Sequence, residues 1–378
     1  MYAVRASILY DGSGKAPKKN VYVHFDSKIR GIAREKKRSE VIAEGVVTPA
    51  FIDAHCHIGM YRSGEPDYEG EGNDKMESVY PLADALESVY MDDRAFKESI
   101  EHGVLYSVVL PGSGNIVGGR GALIRNFGRN VREAYIKHIG IKTALGYNPR
   151  STTEWKGRRP TTRMGAVAIL KENLIRAKKA RVLLRRRKKV REEIDPITEI
   201  FMDVIEGKER LMVHVHKEDD IAVLIKIVEE FGINAIVNHA CDVHTREGFE
   251  MIKSAGLPII YGPVDAFAYK VELKHESWRN IKHIIDVRPD FCLMSDHPVV
   301  LQRNLYLQLR FFVRLGMKKE EAISLITGKS ANIIGADNMG TIARGKAASL
   351  IVWSGDPFSF DSYPIMVIGE GKILHEES

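Results

Sequence analysis

Residues 46–60 read VVTPAFIDAHCHIGM, an apolar run that ends in His55-Cys56-His57. On an extended strand, side chains two apart point to the same side, so where such a strand opens into a loop both imidazoles can reach one metal ion. Neutral imidazole is the commonest metal ligand in proteins. Three later apolar runs finish the same way: Leu211–Val213 before His214, Ala235–Asn238 before His239, and Phe291–Ser295 before Asp296. Ligand-type residues at the ends of successive strands are what a parallel barrel gathers at one face, where the loops after the strands build the site.

Working outward, the middle of the chain alternates strand, loop and helix, the pattern of parallel sheet units. Barrel strands are expected near 47–53, 104–110, 138–145, 211–216, 235–239, 258–261 and 291–295. An eighth strand is not legible, and a long polar helical stretch between Met164 and Ile205 is expected to surround or replace it. Both ends read differently, as short strands separated by Gly, Asp and Lys turns with no helices of their own. The expected division is therefore 1–48 with 340–378 as one small domain and 49–339 as the barrel. Gly59 to Asp74, rich in Gly, Glu, Asp and Tyr, reads as an active-site loop after the first strand.

The opening stretch, together with VHVHKEDDI (213–221), NHACDVH (238–244), MSDHP (294–298) and GTIARGKAASLIVWSGDP (340–357), resembles the amidohydrolase superfamily, in particular its imidazolonepropionase-like branch. The resemblance runs over nearly the whole chain. It implies an α/β fold, a TIM-like (β/α)8 barrel with a small β-sandwich formed by both termini. In that family, dinuclear members bridge two metals with a carboxylated lysine or a glutamate on the third or fourth strand. Where relatives carry Gly-Glu-Asn-Pro this chain reads Gly146-Tyr147-Asn148-Pro149, so one tightly held ion is expected and a second is not.

Nitrogen and carboxylate ligands suit Zn²⁺ first, with Fe²⁺ or Mn²⁺ as alternatives. His55, His57, His214 and Asp296 are the expected ligands. Asp296 is also the expected acid and base, taking a proton from the attacking water and passing it to a leaving nitrogen. His239 is either a further ligand or a donor to the carbonyl oxygen as negative charge develops there. His216 and Tyr147 are assigned to the substrate pocket. The segment Pro111 to Arg120 is expected to be a glycine-rich loop whose amides face a ligand, with Arg120 clamping a substrate carboxylate.

At 378 residues and 44% hydrophobic content the chain can bury a large core. No apolar run is long enough to span a membrane and the first residues lack signal-peptide character, so a cytoplasmic location is expected. Cys56, Cys241 and Cys292 cannot close a disulfide set and read as buried packing residues. The net charge of +6 is concentrated between Lys178 and Arg191, where a solvated helix face with snorkelling side chains explains it better than nucleic-acid binding. The expected partner is a small-molecule substrate, with self-association into a homo-oligomer left open. The expected activity is hydrolysis of an amide or cyclic amide. A deaminase or an esterase or lactonase on the same barrel, and a catalytically silent metal-binding interaction protein, are the alternatives.

Overall fold

The computed structural model describes residues 1–151 and 158–377. Its first four strands are β1 (Tyr2–Leu9), β2 (Lys18–Phe25), β3 (Ile29–Ala33) and β4 (Glu40–Pro49). The barrel is built from β5 (Phe51–Cys56), β6 (Val104–Val109), β7 (Val117–Arg125), β8 (Tyr135–Ala144), β9 (Leu211–Val215), β10 (Ala235–His239), β11 (Ile259–Tyr261) and β12 (Phe291–Leu293). The tail adds β13 (Leu350–Trp353), β14 (Pro364–Gly369) and β15 (Lys372–Glu376).

Every residue of β5, β6 and β9 to β12 is buried. Strands covered on both faces have no solvent-facing side to show, which is why they read as near-continuous apolar runs. The eight strands hydrogen-bond in sequence order from β5 to β12. Two backbone bonds then draw the ends together: the His57 amide donates to His297 O at 2.9 Å and the Asp296 amide to His55 O at 3.1 Å. The barrel is thereby nearly closed, and its seam lies at the histidine pair.

The strand that the sequence hid is β7, and it runs antiparallel to both β6 and β8. The expectation of a glycine-rich loop up to Arg120 is corrected at this point, as is the expectation that the region from Met164 to Ile205 stands in for a strand. Three glycines within VGGRGALIR argue against a strand on propensity. Tertiary packing requires one of them. Gly119 has φ +121°, and a Cβ there would stand 2.4 Å from Ala83 O, where the Arg120 amide donates to that same carbonyl at 2.8 Å. The amides of Gly112 and Gly114 are likewise taken, by Gly72 O at 2.5 Å and Asn73 Oδ1 at 2.7 Å. These glycines therefore seat the loop that follows β5 and leave those amides unavailable to a ligand.

The helices Arg163–Arg185 and Pro196–Ile205 form the crossover from β8 to β9. Ala166, Leu170, Leu174 and Ala177 repeat at helical spacing on the buried face of the first. Lys178, Lys179 and the run from Arg185 to Lys189 are exposed, as a solvated face requires. No described helix is long and apolar enough to cross a membrane.

Both termini share a separate seven-stranded sheet in the order β15-β14-β13-β4-β1-β2-β3. Bonds between Ile29 and the turn at Gly345-Lys346 bring the β3 edge back towards the tail. The sheet thus curls around its own core of Val4, Val23, Phe25, Val47, Leu350 and Ile368. Strand β4 runs almost directly into β5, so one apolar stretch serves the small sheet and then the barrel.

Candidate metal centre

The ends of β5, β9, β10 and the segment after β12 converge. Ring centroids of His55 and His239 are 4.9 Å apart, and those of His214 and His239 4.4 Å. Donor atoms fall into two adjoining groups, His55 with His57 and Asp296, and His214 with His216 and His239, each spanning no more than 4.8 Å. Asp296 Oδ1 lies 3.4 Å from His55 Nε2 and 3.3 Å from His57 Nε2. His239 and Asp296 both have positive φ, +80° and +53°, a backbone region that non-glycine residues rarely occupy and that clusters at functional sites.

The electrostatics suit a cation. Burial, with the Lys142 ammonium adding to it, holds His55 well below the ordinary imidazole value. Burial and the neighbouring His239 do the same for His214 and His216, and burial brings His239 down to about 4. Asp296 would be raised by burial, but His239, His57 and Lys142 outweigh that and bring it to about 2. Near neutral pH His55, His214, His216 and His239 are therefore uncharged imidazoles beside an ionised Asp296 carboxylate.

Whether these residues fit a metal is decided by their remaining hydrogen bonds. His57 Nδ1 donates to Leu110 O at 2.7 Å and His239 Nδ1 to Gly262 O at 2.9 Å, which leaves each Nε2 as a lone pair. Metal-ligating histidines are commonly fixed in this way. His239 Nε2, His55 Nδ1 and both nitrogens of His216 are buried with no hydrogen-bond partner among the described residues, a state that buried polar atoms rarely tolerate. A nitrogen and carboxylate donor set of this kind suits Zn²⁺, Fe²⁺ or Mn²⁺. The cysteines take no part in either group. All three are buried, and burial pushes the Cys56, Cys241 and Cys292 thiols far up, away from the thiolate that a metal needs.

Two residues that sequence reasoning missed belong here. Lys142, on the fourth barrel strand, is fully buried with Nζ 3.3 Å from His55 Nε2, and burial brings its pKa to about 7. Its signal was a lone lysine inside the apolar run Ile139 to Leu145. Glu272 comes from a short 3-10 helix, Val271–Leu273, in the loop after β11. Its Oε1 lies 3.2 Å from His214 Nε2 and 2.8 Å from Lys270 Nζ, and its Oε2 accepts the Tyr147 amide at 2.9 Å. Nothing in the polar stretch KVELKHE marks it.

Of the expected pocket residues, His216 joins the histidine group directly and Tyr147 reaches it through Glu272. Arg120 does not join it. It pairs with Ile141, next to Lys142 on β8, and alternation along a strand sends neighbouring side chains to opposite faces. The register thus puts Arg120 on the strand face opposite Lys142.

The model of the amidohydrolase family matches residues 170–374. The chain belongs to the amidohydrolase family. It is similar to an amidohydrolase of Thermotoga maritima MSB8, with 28% identity, a TM-score of 0.91 and complete coverage of both chains. Among curated proteins, the amidohydrolase tasK of Hapsidospora irregularis is 23% identical in an alignment 363 positions long that covers 88% of this chain and 36% of that longer protein. The L-hydantoinase of Arthrobacter aurescens, 13% identical with a TM-score of 0.58, shares the fold over all of this amidohydrolase and 96% of its own chain.

Proposed function

We propose that this amidohydrolase is a metal-dependent hydrolase that cleaves the C–N bond of an amide or cyclic amide in a small molecule. The observation that carries the reading is Asp296, ionised and within 3.4 Å of the His55 and His57 imidazoles at the mouth of the barrel. His55, His57, His214, His239 and Asp296 would hold a divalent ion, Zn²⁺ being the simplest choice. A bound ion of this kind acidifies water and polarises a carbonyl. Asp296 then accepts the proton that water loses as it adds to the carbonyl carbon, and delivers it to the nitrogen as the C–N bond breaks. His239 is better suited to ligation than to donating a hydrogen bond, because its only N–H is committed to Gly262 O. His216 and Tyr147 would line the substrate pocket, both of them meeting Glu272. The imidazolonepropionase-like branch stays part of the proposal.

The test combines metal analysis with an assay panel of amides, cyclic imides, lactones and amino-heterocycles, read by amine and ammonia release. His55→Ala/His57→Ala is expected to fold, lose metal and lose turnover. Full metal occupancy in that folded variant would sink the site as described, and ammonia release from amino-heterocycles alone would make the protein a deaminase.

A two-ion version of the same reading is favoured by Lys142. A buried amine with a pKa of about 7 is substantially neutral at neutral pH, and the neutral amine is the form that adds CO₂ to give a carboxylated lysine, which would supply carboxylate oxygens beside His55. Intact-protein mass should then show one added CO₂, and Lys142→Ala should bind one ion fewer. An unmodified lysine with one ion per chain in both proteins would return the count to one.

A further inference from the structure

Away from these histidines, the loop after β10 meets the loop after β11 at Asp242, His244 and His275. One donor atom from each lies within 4.8 Å of the other two. The His275 amide donates to Asp242 Oδ1 at 2.5 Å, His275 Nδ1 stands 3.3 Å from Oδ2, and His244 Nδ1 donates to Asp242 O at 2.8 Å. The carboxylate is buried, while the two imidazole side chains are 40% and 41% exposed. Their rings are stacked, with centroids 4.1 Å apart and planes 26° from parallel.

We propose that Asp242, His244 and His275 form a second, peripheral site for one divalent transition-metal ion, which ties the loop bearing Lys270 and Glu272 to the loop that follows His239. Two imidazole nitrogens and one carboxylate oxygen select Zn²⁺, Co²⁺ or Ni²⁺ over Mg²⁺ and Ca²⁺, which take oxygen ligands. The bond from His244 Nδ1 to a backbone carbonyl leaves Nε2 as the free lone pair. Asp242 is held in place by its bonds to His275, so only the rings have to move. Ligand distances of about 2.1 Å require one ring to turn out of the stack, and both rings turn against solvent instead of packed core. Glu218 Oε1, 3.9 Å from His244 Nδ1, adds negative charge beside the ion. The consequence reaches the barrel mouth, because Glu272 lies three residues before His275 and touches His214.

The site stands on its own residues and does not depend on the hydrolase reading. Full-length protein, stripped with chelator, is titrated with Zn²⁺ and its stoichiometry read by calorimetry and elemental analysis. His244→Ala/His275→Ala should bind one Zn²⁺ fewer than the unaltered chain, and His55→Ala/His57→Ala should keep that equivalent. Zn²⁺ added to His55→Ala/His57→Ala should slow amide hydrogen exchange in residues 262–277 several-fold, and His244→Gln, which leaves the Asp242–His275 bonds intact, should abolish that protection. Equal stoichiometry with and without His244 and His275, or exchange unaffected by Zn²⁺, overturns the proposal.

Discussion

Asp296 shows how much one residue's surroundings decide. Capping the turn that follows would give a carboxylate there a purely structural role, yet its carboxylate faces His55 and His57, and its left-handed backbone carries a strain of about 1–3 kcal/mol. Asp296→Asn keeps the shape and one oxygen but cannot accept a proton. Turnover should fall by roughly 10²- to 10⁴-fold, the usual loss for a general base, with metal content far less affected. Near-normal turnover in the metal-loaded variant would leave Asp296 with a structural role only. Lys142 was harder to read from sequence, because a lysine on a strand is ordinarily a solvated edge residue. Only closure of the barrel shows that its amine is enclosed beside the His55 imidazole.

At the scale of elements, β7 separates propensity from packing. Its glycines read as a loop, yet the strand completes the barrel because Gly119 lets the 79–84 segment approach where any Cβ would collide. Gly119→Ala combines that collision with a positive φ. It should destabilise the protein by about 1–3 kcal/mol, measurable as a lower midpoint in urea, and a midpoint equal to the parent's would mean that the segment yields easily. The strands that carry His55, His214, His239 and Asp296 were legible for the opposite reason. Buried on both faces, they are mostly apolar, so a ligand-type residue at or just past each C-terminal end stands out. Glu272 had no such background, since it lies in a polar loop whose fold depends on contacts distant in sequence.

At the scale of the whole molecule, the two ends of the chain depend on each other. Strand β13 is inserted between β14 and β4, so the division proposed here, 1–48 with 340–378 against 49–339, makes neither end a unit alone. Deleting residues 350–377 would strip a hydrogen-bonding partner from β4 and uncover Val47, Val4 and Phe25. The truncated chain should aggregate, or melt well below the parent in calorimetry. A soluble fragment with the parent's melting temperature would show that the N-terminal strands do not need the tail.

Local pattern by itself determined the barrel class, the terminal pairing and five ligand-type residues, because burial on both strand faces and alternating turns leave a periodic mark on neighbouring residues. Tertiary structure alone decided the antiparallel course of β7, the approach of Lys142 and Glu272 to the histidines, and the meeting of Asp242 with His275. Each of those depends on register between strands or on a loop returning from far along the chain. Such contacts are set by shape and closure of the whole barrel, which leave no periodic mark in the residues themselves.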